Sequence, residues 1–140
     1  MQSKQKQNII FIRMFPDEDV NEGLKKVCKK FDVKNAVVLS GLGQLKNVKL
    51  GYFKEKGDYA AEDFSTPHEL LSLTGNIICQ DDEYLLHLHA VLGDEQKRTI
   101  GGHLISGFVE VTGEIVLLKT NIDAKREIDE KTDLKALVLE

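Results

Sequence analysis

The strongest constraint on the fold is a succession of β-forming stretches with a single helical pattern among them. In "NIIFIRMF", Ile10, Ile12 and Met14 alternate with Ile9, Phe11, Arg13 and Phe15, the two-residue period of a strand whose second apolar face carries an arginine. "PDEDVNEGLKKVCKKFDV" changes the period. Val20, Leu24, Val27, Cys28 and Phe31 recur at helical spacing, with Asp17 as the expected N-cap, acids in the first turn and Gly23 as a weak point. β-Rich runs then resume: "NAVVLSGLGQLKNVKLGYF", read as two strands around a turn at Ser40–Gly43, then a turn at Gly57-Asp58. "HELLSLTGNIIC", "YLLHLHAVLG", "GGHLISGFVEVTGEIVLL" and "LKALVLE" continue the pattern. Residues 122–133 suit either a short helix or a loop. The expected class is α+β, a mostly antiparallel β-sheet with one main amphipathic helix.

A chain of 140 residues, 41% of them hydrophobic, fits one domain over residues 1–140. Residues 1–7 read as a flexible tail. The net charge of −4 excludes the strongly basic footprint of a bulk nucleic-acid binder. No apolar run reaches the length of a signal-peptide core or a membrane span, so the expected location is cytoplasmic with no membrane partner. Cys28 and Cys79 are far apart and lack a metal-ribbon neighbour, which points to small buried hydrophobes rather than a disulfide framework. "SGLGQL" does not match a phosphate-cradling glycine pattern and reads as turns or bulges.

The histidines carry the chemical signal. In the strand "YLLHLHAVLG", His87 and His89 share a face with Leu85 and Val91, while Leu86, Leu88 and Ala90 face the other way. The polar, glycine-bracketed segment from Gly93 to Gly102 suggests a hairpin. Symmetry about Gln96 sets His89 opposite His103. Three imidazoles then come within reach of one ion, and three protein ligands with an open fourth position is the catalytic zinc pattern. The plainer alternative is a polar strand face with a nearby histidine. His68, in "TPHELL", is expected to be an exposed loop residue. Asp94 and Glu95, at the hairpin tip, could support the ligands from behind or simply face solvent.

"SGLGQLKNVKLGYF", "ELLSLTGNI", "LHLHAVLGDEQKRTIGGHLISGFV" and "TGEIVLL", in this order and spacing, resemble the PPC (plants and prokaryotes conserved) domain, in its stand-alone prokaryotic form without an AT-hook. The resemblance implies a homotrimer with a metal-binding cluster at His87, His89 and His103, zinc being the expected ion. It also implies a DNA-binding or regulatory module, because plant relatives join this domain to an arginine-rich arm that enters the minor groove. These residues contain no such arm, and the first residues offer only Lys4 and Lys6. Lys25, Lys26, Lys29 and Lys30, with Lys34 just beyond, are the alternative DNA-facing surface, although such a run is more often the solvated face of an amphipathic helix.

A second resemblance is to acetolactate decarboxylase, which is similar in broad fold and in its HxH-plus-His zinc site and implies, as the competing function, a zinc-dependent enzyme acting on a small carbonyl or ester compound. Arg13, Glu110 and Glu114 are the accompanying charged candidates. Each also fits an internal ion pair or a solvent-facing strand position.

Overall fold

The computed structural model describes residues 1–139; Glu140, at the end of the closing "LKALVLE" run, lies outside the described residues. Strand β1 (Gln2–Lys6) pairs antiparallel with β2 (Ile9–Met14), so the expected N-terminal tail is a strand. Its burial alternates between exposed and half-buried, the pattern of a polar edge strand, which an apolar-alternation reading does not detect.

Helix α1 (Val20–Lys30) follows. Asp19, not Asp17, caps it: the Asp19 carboxylate accepts from the Glu22 backbone N–H at 2.9 Å. Asp17 instead takes a left-handed backbone (φ 68°) and meets Lys46 at 2.8 Å. Val20, Leu24, Val27 and Cys28 are buried as the helical spacing predicts, and Lys29 and Lys30 fall in the last turn, where the helix dipole favours cations. Phe31 forms the C-cap and packs partly buried against the core.

Strand β3 (Asn35–Glu55) runs without a break through Ser40–Gly43, contrary to the expected turn. Bulges between Val38 and Ser40 and between Gly43 and Leu45 bend it instead. Gly43 adopts φ +142°, and a Cβ there would lie 1.9 Å from the Thr112 carbonyl oxygen, so glycine here serves a close strand approach rather than a reversal. The Gly57-Asp58 turn does form, closing β3 onto β4 (Asp58–Phe64).

β5 (His68–Gln80), β6 (Glu83–Gly93) and β7 (Thr99–Thr120) complete the large sheet, whose strand order is β1-β2-β7-β6-β5-β3-β4. β7 also pairs with β3, so β3, β5, β6 and β7 form a closed circuit of antiparallel pairing. Leu45, Leu73, Ile77, Leu88, Leu92, Ile115 and Leu117 fill its interior, with α1 and β2 adding Leu24, Val27, Ile10 and Met14. Closure removes strand edges that would otherwise invite pairing with other chains.

The segment 122–133 is neither a helix nor a simple loop. β8 (Ala124–Ile128) and β9 (Lys135–Leu139) form a separate hairpin around a turn in which the Asp129 carboxylate accepts from the Lys131 and Thr132 N–H groups. Gln80 accepts from the Arg126 backbone N–H at 2.8 Å, and Lys56 reaches the Glu130 carbonyl at 2.7 Å and Asp133 at 3.3 Å. These bonds hold the hairpin against β5 and the β3–β4 turn.

Candidate metal centre

Alternation along β6 drives Leu88 and Ala90 into the core and leaves His87 and His89 on the outer face. The β6–β7 hairpin has the register expected from its sequence, with Gly93 opposite Thr99 and His89 opposite His103. The Asp94 carboxylate binds the Arg98 backbone N–H at 2.9 Å and its side chain at 2.7 Å, closing the turn. Asp94 therefore works in the hairpin tip and not behind the histidines; Glu95 is exposed beside it.

The three imidazoles converge. Ring centroids lie 5.2 Å apart for His87–His89, 5.3 Å for His87–His103 and 5.5 Å for His89–His103. One nitrogen from each ring falls within 4.8 Å of the others. The Nε2 atoms of His87 and His89 are 3.2 Å apart; zinc–nitrogen bonds at tetrahedral angles separate two ligand nitrogens by about 3.3 Å. The donor set thus fits a divalent metal, with one position left for another ligand.

Burial lowers the pKa of His87, and the nearby Arg126 and His89 lower it further. His103 is lowered by burial first, then by His87, His89 and Arg126. Neutral imidazole, the ligating form, is therefore favoured at these positions.

A cavity of about 950 Å³ opens at the histidines, lined on other sides by Tyr52, Tyr59, Tyr84 and Arg126. Tyr59 meets His103 edge-on, with ring centroids 6.3 Å apart. Burial raises the Tyr59 phenol and pushes Tyr84 up to about 12, so both remain protonated donors at neutral pH. Arg126, only 8% exposed, donates to the Asn76 side-chain oxygen and, at 3.1 Å, to the Lys135 carbonyl. Sequence reasoning misses Arg126 because the polar segment 122–133 reads as a short helix or a loop; the one available signal is that alternation in so short a strand groups Arg126 with Ala124 and Ile128.

The other charged candidates stay apart from this site. Arg13 and Glu114 sit opposite each other on β2 and β7, with Arg13 over the Phe15 ring at 5.3 Å. Glu110 meets Lys46 at 2.7 Å in the ion pair that also includes Asp17. His68 is a correction: it is buried at the start of β5, with Nδ1 2.8 Å from the Thr66 carbonyl oxygen and its ring packed edge-on against Phe64. On α1, Lys25 pairs with Glu22 at 2.8 Å and Lys30 bonds the Ser3 hydroxyl at 3.0 Å, while Lys34 meets Asp32 at 3.4 Å. Cys28 is buried and Cys79 half-buried, both as free thiols, and burial pushes Cys28 up to about 12. Among the described residues, no helix is long and apolar enough to cross a membrane.

Comparison with known proteins places the chain in a family. A plant- and prokaryote-conserved (PPC) protein from Pyrococcus horikoshii is 30% identical, with a TM-score of 0.81 over 99% of this chain and 97% of that chain. A proposed DNA-binding protein from Bacteroides thetaiotaomicron shares the fold at a TM-score of 0.91 and 23% identity, covering 99% of this chain and 96% of that one. A metal-containing protein from Archaeoglobus fulgidus shares it at 0.84 and 24%, covering 98% and 96%. The bifunctional protein GlmU of Synechococcus sp. (strain JA-2-3B'a(2-13)) is 33% identical over 107 residues, 76% of this chain; the match spans only 16% of that relative's length. The profile of the Plants and Prokaryotes Conserved (PCC) domain matches residues 1–121, and the chain belongs to that family.

Proposed function

We propose that the chain is a metal-binding module, holding zinc through His87, His89 and His103, that assembles as a homotrimer and presents the open coordination position to a small ligand. The observation that carries this reading is the convergence of three imidazole nitrogens within 4.8 Å at the mouth of a cavity. The metal-containing relative from Archaeoglobus fulgidus supports it. Bound there, a divalent ion supplies Lewis acidity toward an oxygen ligand. His87, His89 and His103 hold the ion, Tyr59 buttresses His103, and the tyrosines around the cavity narrow access for water. Metal analysis of protein purified without a histidine tag tests the reading: zinc should be stoichiometric in the parent after reconstitution and absent from a His87→Ala/His89→Ala variant. A parent that takes up no zinc overturns it.

The trimer is supported by large apolar side chains left exposed on the sheet, Phe11 at 64% and Leu42 at 53%, with Val37 and Leu39 also exposed on β3. A patch of this kind marks an interaction surface.

DNA association is a second reading, favoured by the lysines of α1 and by the proposed DNA-binding relative. Three copies of that face in a trimer would add avidity. It predicts salt-sensitive binding to duplex DNA that drops on changing Lys25, Lys26, Lys29 and Lys30 together to glutamine; unchanged binding overturns it. Turnover of a small carbonyl or ester compound, dependent on metal and on His103, would instead assign the site to catalysis of the acetolactate-decarboxylase type.

A further inference from the structure

Arg126 is buried without a counter-charge. Among the described residues no carboxylate forms an ion pair with it, and its two bonds to neutral oxygens leave the rest of its five N–H donors uncommitted. A buried guanidinium normally has an acidic partner, because removing the charge from water costs more than bonds to neutral oxygens return. Arg126 lines the same cavity as the three histidines.

The rest of that cavity repeats the imbalance. Acids outnumber bases in the chain, 23 to 19, yet among the described residues no aspartate or glutamate lines this space, whereas Lys135 and Arg126 do, together with Lys25, whose charge Glu22 meets from outside the lining. Three neutral imidazoles would leave a bound divalent ion with its full charge. The complement of such a site is an anion. Tyr52, Phe53, Tyr59, Leu85 and Val91 form an apolar wall beside the charges, which suits a ligand with an apolar body better than a bare inorganic ion. Arg126 lies beyond residues 1–121, the part of the chain matched by the family profile.

We propose that this cavity takes a small carboxylate with an apolar or aromatic body, its carboxylate gripped by Arg126 and directed to the coordination position that His87, His89 and His103 leave open. The assignment rests on the metal reading above. Arg126 suits the role because its planar fork matches a carboxylate through two parallel N–H···O bonds, and its bonds to Asn76 and Lys135 hold that fork in place.

Cobalt-loaded protein tests the idea without any assay of turnover, because the visible spectrum of cobalt reports both metal uptake and entry of a further ligand. Benzoate should perturb the spectrum saturably, benzamide should bind at least tenfold more weakly, and inorganic phosphate should not compete better than benzoate. Arg126→Gln should take up cobalt but bind benzoate at least tenfold more weakly, with Arg126→Lys in between. Benzoate and benzamide binding alike, phosphate binding more tightly than benzoate, or an unaltered benzoate affinity in Arg126→Gln overturns the carboxylate assignment while leaving the metal site standing. Failure of the parent to bind cobalt removes the metal reading and this one together. Should Arg126→Gln fail to fold, the preference of the parent for benzoate over benzamide and the response of Arg126→Lys decide the outcome.

Discussion

At His87 and His103, partial desolvation favours the neutral imidazole. Both folded-state pKa values lie below the ordinary imidazole value of about 6.5, so the unfolded chain binds more protons than the folded one as pH falls through that window. Stability is therefore full above the unfolded value and declines as acidification forces charge onto the folded cluster. Without metal, the parent should lose more melting temperature between pH 7 and pH 5 than a His87→Gln/His103→Gln variant, as followed by circular dichroism; equal losses would count against the cluster. Metal should also be released over the same acid range, because protons compete for the ligand nitrogens. The positions of His87, His89 and His103 were legible because strand alternation and hairpin symmetry are local rules. His68 was not, since its burial depends on Phe64 and on the Thr66 carbonyl meeting it.

Among the elements, helix α1 and strand β5 make the clearest demands. Asp19 satisfies a free N–H in the first turn of α1, so Asp19→Ala should cost about 1 kcal/mol in denaturant unfolding, whereas a like effect from Asp17→Ala would point to the other residue as the cap. Gly75, on β5, adopts φ +145°, and a Cβ there would stand 2.0 Å from the His87 carbonyl oxygen. Gly75→Ala combines backbone strain with a backbone collision, neither of which a rotamer change relieves. A loss of roughly 2–4 kcal/mol is expected, with weakened metal uptake because the collision falls on the strand that carries two of the ligands. Retained stability and metal content would show that β5 and β6 can part at no cost. The helix was legible from its 3.6-residue spacing, but its cap was not, because Asp17 and Asp19 are both acceptable N-caps and only the path of the chain chooses between them. The stretch Ser40–Gly43 misleads for a related reason. Glycine and serine mark turns and bulges alike, and the pairing of β3 with β5 and β7 decides which forms.

Across the whole molecule, the closed sheet circuit sends its apolar residues inward and still leaves Phe11, Val37, Leu39 and Leu42 exposed on one side. Phe11 neighbours Val116 and Leu42 neighbours Glu114 in the strand registers, so these side chains span β2, β7 and β3, with the Arg13–Glu114 pair among them. If this face joins the copies, Leu42→Glu should convert the trimer to monomer in analytical ultracentrifugation while the monomer keeps its circular dichroism spectrum. A trimer that survives the change would place the interface elsewhere. The proposed DNA face and this apolar face involve different elements, so the two tests do not interfere.

The class of fold, the single helix, the β6–β7 register and the convergence of His87, His89 and His103 were all determined by the sequence, because each follows from periods and turns that act over a few residues. Tertiary structure alone decided the rest. It turned residues 2–6 and the segment from Ala124 into strands, buried His68, and brought Arg126 on the C-terminal hairpin to a cavity built from β3, β4, β6 and β7. Those outcomes depend on which surfaces meet after distant segments pack, and no local period records such meetings.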